Sequence, residues 1–149
     1  MNRSAVHLGM LCILSLFIAG GAAADATKDE RNLEREVKRL NDTAAKPDGE
    51  KAVIKRLAVE YKTTEVQVQA LRDKKIGFGD IAAMLSLSQS LPGGATDANV
   101  QRVLTLRQGP PVQGWGQVAQ QLGTKLGKTV SQVRKTANNA NREIKNDHA

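Results

Sequence analysis

Leu71-Arg72-Asp73-Lys74-Lys75-Ile76-Gly77-Phe78-Gly79-Asp80-Ile81-Ala82-Ala83-Met84-Leu85 comes back, 35 to 37 residues later, as Leu106-Arg107-Gln108-Gly109-Pro110-Pro111-Val112-Gln113-Gly114-Trp115-Gly116-Gln117-Val118-Ala119-Gln120-Gln121-Leu122. With an insertion at Pro110-Pro111, Leu71, Arg72, Gly77, Gly79, Ala82 and Leu85 match Leu106, Arg107, Gly114, Gly116, Ala119 and Leu122. Phe78 answers Trp115, and Ile81 answers Val118. An offset of this size is that of stacked supersecondary units. A catalytic residue usually occurs once, whereas a packing residue recurs with its unit, so the matched positions are expected to turn and pack the chain.

Each copy reads as helix, glycine-bounded turn, helix. Val66 and Val68 alternate with Gln67 and Gln69 as in a strand. The equivalent segment 97–108, however, has Val100, Val103, Leu104 and Arg107 at helical spacing, and repeats share a conformation. Residues 65–74, after a cap at Thr63-Thr64, are therefore expected to be helical. The second helices are expected over 79–90, ended by Pro92-Gly93-Gly94, and over 116–122, ended by Gly123.

In the turns, the first glycine (Gly77, Gly114) is expected to take a backbone angle closed to other residues. The second (Gly79, Gly116) would open the next helix, with Phe78 or Trp115 plugging the elbow. The functional alternative is an exposed ring offered to a sugar or nucleobase. Neither turn is a phosphate loop, because the Lys and Ser/Thr of such a loop and a preceding strand are missing. Arg72 and Arg107 stand near helix ends, where a cation suits the dipole; a paired anion site is the functional alternative. Asp80 is answered by Gln117, which argues against a shared acid or base.

Outward from the copies, Thr27-Lys28-Asp29-Glu30 has the form of a capping box. Leu33, Val37, Leu40 and Ala44 then place one apolar stripe on a charged helix that ends before Pro47-Asp48-Gly49. Its charged face is not read as a site. Asp48 is expected to cap a helix through Lys62, with Val53, Ile54, Leu57, Ala58 and Tyr61 facing inward. A last helix should begin near Lys128 or Thr129 and carries Val130, Val133, Ala137, Ala140 and Ile144 at spacings of three and four. Two repeats are fewer than the three or so that bury a continuous core, so the flanking helices are expected as caps. The expected fold is all-α: a small helical domain of two helix-turn-helix-like repeats with capping N- and C-terminal helices. Its parts would be a signal peptide (1–24), an N-terminal amphipathic helix (25–47), a two-repeat core (48–128) and a basic C-terminal helix or tail (129–149).

Arg3, the apolar run 8–20 and the small residues Gly21-Ala22-Ala23-Ala24 have the form of a secretory signal. Cleavage is expected after Ala24 or Ala26. The run is shorter than the roughly 20 residues of a spanning helix, so cleavage and export into the periplasm or the medium are expected, with an uncleaved membrane tether as the alternative. Cleavage at Ala24 removes Cys12, the only cysteine, and leaves His148 as the only histidine. No disulfide-linked partner, thiolate nucleophile or Cys/His zinc site is then expected, and no cofactor signature is present. Ser86, Ser88 and Ser131 have no histidine partner in the pattern, and no carboxylate pair points to catalysis. The chain is therefore expected not to be an enzyme.

The net charge of +7 is unevenly placed. Residues 25–62 carry ten basic and nine acidic side chains, 63–123 five and four, and 124–149 six and two. Lys125, Lys128, Arg134, Lys135, Arg142 and Lys145 are the candidate contacts to an anionic surface, either lipid headgroups or a cell-wall polymer. A solvated face that keeps the protein soluble is the plainer reading. The segment 116–123, followed by Lys125, Lys128, Arg134 and Lys135, also has the spacing of a DNA-binding helix-turn-helix. Against it stand the export signal and the connection expected over 124–128, which is long for such a module and contains Gly127.

In its paired Leu-Arg, Gly-aromatic-Gly and [Ile/Val]-Ala-x-x-Leu segments, over roughly 53–135, the chain resembles a group of exported bacterial proteins of unknown function with helical repeats of this kind. The resemblance implies no active residues. The expected role is an exported, non-catalytic helical interaction protein with a protein partner in the cell envelope, contacting an anionic surface through its basic C-terminal helix. A nucleic-acid-binding protein is the alternative.

Overall fold

A computed structural model describes residues 20 to 147, with side chains from Thr27 onward. Most of the expected signal peptide, including Cys12, and His148 lie outside the described residues. Among those described there are seven helices and no strand: α1 Gly20–Ala44, α2 Gly49–Tyr61, α3 Glu65–Asp73, α4 Phe78–Gln89, α5 Asp97–Gln108, α6 Trp115–Gln121 and α7 Leu126–Asp147. The protein is a small all-α domain. The ambiguous segment is helical over Glu65–Asp73, because Thr64 supplies the start signal. Its hydroxyl accepts from Gln67 N at 3.1 Å, and Gln67 Oε1 accepts from Thr64 N at 3.1 Å.

α4 is the centre of the fold. Ten of its 12 residues are buried, including Ile81, Met84, Leu85 and Leu87. A helix apolar on every side must be enclosed on every side, and α1, α2, α5 and α7 pack around it. Its two hydroxyls in the core are satisfied: Ser88 donates to Met84 O at 2.8 Å, and Ser86 donates to Gln132 Oε1 of α7.

The terminal helices do not cap opposite ends of a repeat stack. α1 and α7 pack along each other more extensively than any other pair. Cross-helix partners keep a nearly constant separation, Glu36 with Arg134, Arg39 with Asn138 and Thr43 with Asn141, so the helices run parallel. The cause is the two matching stripes. Leu33, Leu40 and half-buried Val37 on α1 meet Val130, Val133, Ala137 and Ala140 on α7 in one core cluster. Each stripe is too narrow to cover an end of the bundle but is complementary to the other. α2 closes the other flank of α7, where Tyr61 Oη lies 3.2 Å from Thr136 Oγ1. α1 packs on both α4 and α6, as α5 and α7 also do.

Three local expectations differ from the structure. α1 continues through Thr27, so Thr27 begins no helix and the Glu30 carboxylate is directed elsewhere. Asp48 lies in the left-handed region (φ 57°) and makes no side-chain capping bond to α2. α7 starts at Leu126, because Leu126 is itself core and draws the first turn inward.

Candidate functional site

The two glycine turns share one arrangement. The Arg72 guanidinium lies 4.3 Å from the Phe78 ring centre and Nη1 donates to Ile76 O at 2.6 Å. The Arg107 guanidinium lies 5.0 Å from the Trp115 ring and Nη1 donates to Gln113 O at 2.9 Å. In each copy the arginine thus stacks on the aromatic ring and holds the carbonyl just before the first glycine. The rings are 4% and 3% exposed, so they are not platforms for a ligand. The arginines, facing a ring and a carbonyl, do not form a paired anion site.

α1 reads both turns. Asn41 Oδ1 accepts from Gly79 N at 2.9 Å, and Glu30 Oε1 accepts from Gly116 N at 3.3 Å. Residues 30 and 41 are about three helical turns apart and so lie on one face of α1. The first glycines need no special angle: Gly77 has φ −64° and Gly114 φ −66°. Close approach singles out two of the four glycines instead. A Cβ on Gly114 would come 2.2 Å from Glu30 Oε1, and one on Gly79 would come 2.3 Å from Val37 O.

Beside the first turn, burial pushes the Asp80 carboxyl up from its ordinary value, with the Arg107 charge opposing. Its counterpart Gln117 accepts from Gly114 N at 3.2 Å. Ser131 donates to Gly127 O at 3.1 Å. These contacts position helices, and each serine singled out in the sequence has a carbonyl or amide acceptor in place of a base.

The predicted basic residues divide into two sets. Lys125, Lys128, Lys135, Arg142 and Lys145 are exposed. Lys128, Lys135 and Arg142 follow one another at intervals of seven, which sets them in one line along α7 at steps of ~10 Å. Arg134 belongs to the seam, since its Nε donates to Glu36 Oε1 at 2.7 Å. Of the two acids of α7, Asp147 stands exposed at the helix end and Glu143 is turned to the far side. Glu143 meets Lys55 at 2.8 Å and Arg56 at 2.6 Å, and these contacts, the Lys55 hydrogen bond first, hold its carboxyl below the usual range.

α1 extends this surface, with no signal in its own segment to include it. Glu30 and Glu36 face the bundle, and Asp29 lies beside Gly127 of α7. Lys28, Arg31, Arg35, Lys38, Arg39 and Lys46 are exposed, together with Glu34 and Asp42, the latter paired with Lys38 at 2.7 Å. Nearly balanced in sequence, α1 is unbalanced in space. Where its last turns meet α7, Arg39, Lys46, Asn138, Asn141, Arg142 and Lys145 line an open groove of about 480 Å³. Arg39 Nη2 donates to Asn138 Oδ1 at 2.6 Å and Lys46 Nζ to Asn141 Oδ1 at 2.7 Å. The only sequence signal for this partnership was the pair of matching apolar stripes.

The helix-turn-helix reading also meets a correction. Residues 122–125 alone connect α6 to α7, so the connection is short. α7 is nevertheless held along its length, with Leu126, Val130, Val133, Ala137, Ala140 and Ile144 buried. Among the described residues no helix is long and apolar enough to cross a membrane, and no group of three or more His, Cys, Asp or Glu comes together as a metal site. No family model matches the chain, and no curated protein or solved structure is significantly similar to it.

Proposed function

We propose that the protein is an exported, non-catalytic binding protein of the cell envelope that meets an anionic membrane surface through the outer face of α1 and α7. One observation carries this reading: the parallel pairing of the two helices turns several of their acids toward the bundle and leaves a cation line and a cation-lined groove outside. A rigid line of cations favours a flat anionic surface, at about 1 kcal/mol for each Lys or Arg near it.

Sedimentation with anionic and zwitterionic vesicles tests it. Binding is expected only to the anionic vesicles and should fall as salt shortens the Debye length. Neutralising Lys128, Lys135 and Arg142 to Gln should weaken it about a hundredfold, from three contributions of that size. Equal binding to both vesicles, or indifference to salt, sinks the proposal.

The short connection between α6 and α7 favours a second reading, a nucleic-acid binder with α7 as its basic helix. That reading requires an unprocessed chain inside the cell. N-terminal sequencing of protein recovered from its native compartment separates the two, because a start at Asp25 or Thr27 excludes gene regulation.

A further inference from the structure

We infer that the groove formed by Arg39 of α1 and Lys46 just beyond its end with Arg142 and Lys145 of α7 is a discrete site for a phosphate group, with Asn138 and Asn141 as its positioning residues. This deepens the membrane-surface reading and rests on it for the source of the phosphate.

The argument starts from how the cations are held. Elsewhere on this part of the molecule the cations held across helix seams are oriented by carboxylates, as in Arg134 with Glu36 and Arg56 and Lys55 with Glu143, while within α1 Lys38 pairs with Asp42 and Arg35 donates to the Asn32 amide one turn away. In the groove the orienting groups are neutral amides. Asn138 accepts from Arg39 and Asn141 accepts from Lys46, across an interhelical seam joining residues 99 and 95 apart in sequence. An amide fixes a cation's position without cancelling its charge. Arg142 and Lys145 have no carboxylate partner among the described residues, and Arg39 meets Glu36 only at 3.5 Å.

One of the two amides, Asn141, is itself fixed. Asn141 Nδ2 donates to Thr43 Oγ1 at 3.0 Å and to Ala137 O at 2.9 Å, which leaves its oxygen aimed at Lys46. Thr43 is 2% exposed and donates to Arg39 O at 2.9 Å, so the support reaches into the core. Pre-positioned donors lower the ordering cost of binding. Lys46 alone could be explained by the negative end of the α1 dipole. That explanation does not reach Arg142 or Lys145, nor Arg39 within the body of α1.

Two guanidinium groups and two ammonium groups select the anion. Guanidinium forks bind the oxygens of a phosphate in pairs, while ammonium groups act as point charges. Four cations balance a phosphate monoester, which carries ≈ −1.5 to −2 near neutral pH, better than a single carboxylate.

The test compares vesicles bearing a phosphomonoester lipid with vesicles bearing a carboxylate lipid at matched surface charge, alongside a titration with inorganic phosphate. The wild-type chain should prefer the phosphate vesicles about tenfold, the effect of one strong charge-assisted contact. Asn138→Ala with Asn141→Ala leaves the charge unchanged and should abolish that preference. Arg39→Gln with Lys46→Gln should do the same, and both residues are exposed enough to leave folding intact, which thermal melting checks. Lys28→Gln with Arg31→Gln removes the same charge from the other end of α1 and should keep the preference. Inorganic phosphate should move the Asn138 and Asn141 side-chain amide NMR signals saturably. Vesicle binding with no phosphate preference and no movement of those signals overturns the groove and leaves the membrane reading standing. Saturable movement without vesicle binding supports the groove, assigns it to a soluble phosphate compound and overturns the membrane reading.

Discussion

The elbow between α3 and α4 and the elbow between α5 and α6 have the same local chemistry and opposite surroundings. In each, an arginine stacks on the ring between two glycines and a polar side chain of α1 accepts from the second glycine. The first elbow opens a helix of 12 residues with ten buried, and its Gly79 lies against the Val37 backbone. The second opens a helix of seven residues with Trp115, Val118 and Ala119 buried, and its Gly116 faces only the movable end of Glu30. A repeated motif therefore fixes how the chain turns, while the neighbour supplied by α1 fixes how much stability depends on the turn.

The largest effect expected is common to both elbows. Phe78→Ala and Trp115→Ala should each cost about 3–5 kcal/mol in urea unfolding, because each removes a buried ring and the platform for an arginine. A cost below about 1 kcal/mol for Trp115→Ala would show that the second elbow is not part of the cooperative core.

The next pair separates the elbows. Gly79→Ala drives a Cβ into the α1 backbone, which cannot yield as a side chain can, and should cost about 1–3 kcal/mol or more. Gly116→Ala places its Cβ 3.2 Å from Glu30 Oε2, so a small rotation of the glutamate relieves it. The ~1 kcal/mol helix preference of Ala over Gly then brings the net change close to zero. Equal costs for the two substitutions would break the comparison.

The smallest effect concerns the third residue of each helix, Asp80 against Gln117. Burial raises the Asp80 carboxyl in the folded state, so the folded chain holds that proton more tightly than the unfolded chain does. This contribution favours folding below the unfolded value near 3.8 and is lost as pH rises through the folded value. Asp80→Asn, the change toward its amide counterpart, should raise the melting temperature modestly at neutral pH and remove that fall in stability between acid and neutral pH. Glu143 has the opposite sign, its stabilisation being lost as pH falls through its lowered value, and serves as the internal control. A lower melting temperature for Asp80→Asn at neutral pH would show that its contact with the Arg107 charge outweighs burial.

Much of the all-α fold was legible because its signals are local. Repetition resolved Val66 and Val68 as helical, Thr64 marked a helix start, and Gly123, at φ 67°, marked a stop. The special angle expected at Gly77 and Gly114 is absent, and the restriction that does exist, at Gly114 and Gly79, comes from a neighbour across the fold and not from the residue's own angles. Thr27 looked like a cap for the same kind of reason: its pattern with Glu30 is correct locally, but Glu30 has a partner 86 residues away. Half of the groove was legible as the basic residues of the C-terminal helix. Arg39 and Lys46 were hidden within a stretch whose acids nearly balance its bases.

The sequence by itself determined which residues turn, which form stripes and where the excess charge lies, because backbone propensity and periodicity act over a few neighbours. Only the tertiary structure decided that α1 and α7 run parallel, that α4 lies at the centre, and that cations from both ends of the chain line one groove. Helix pairing depends on complementary stripes and on what else must be covered, and neither is a property of any one segment. The same pairing sets which charges face inward, so a nearly neutral stretch of sequence becomes a cationic surface.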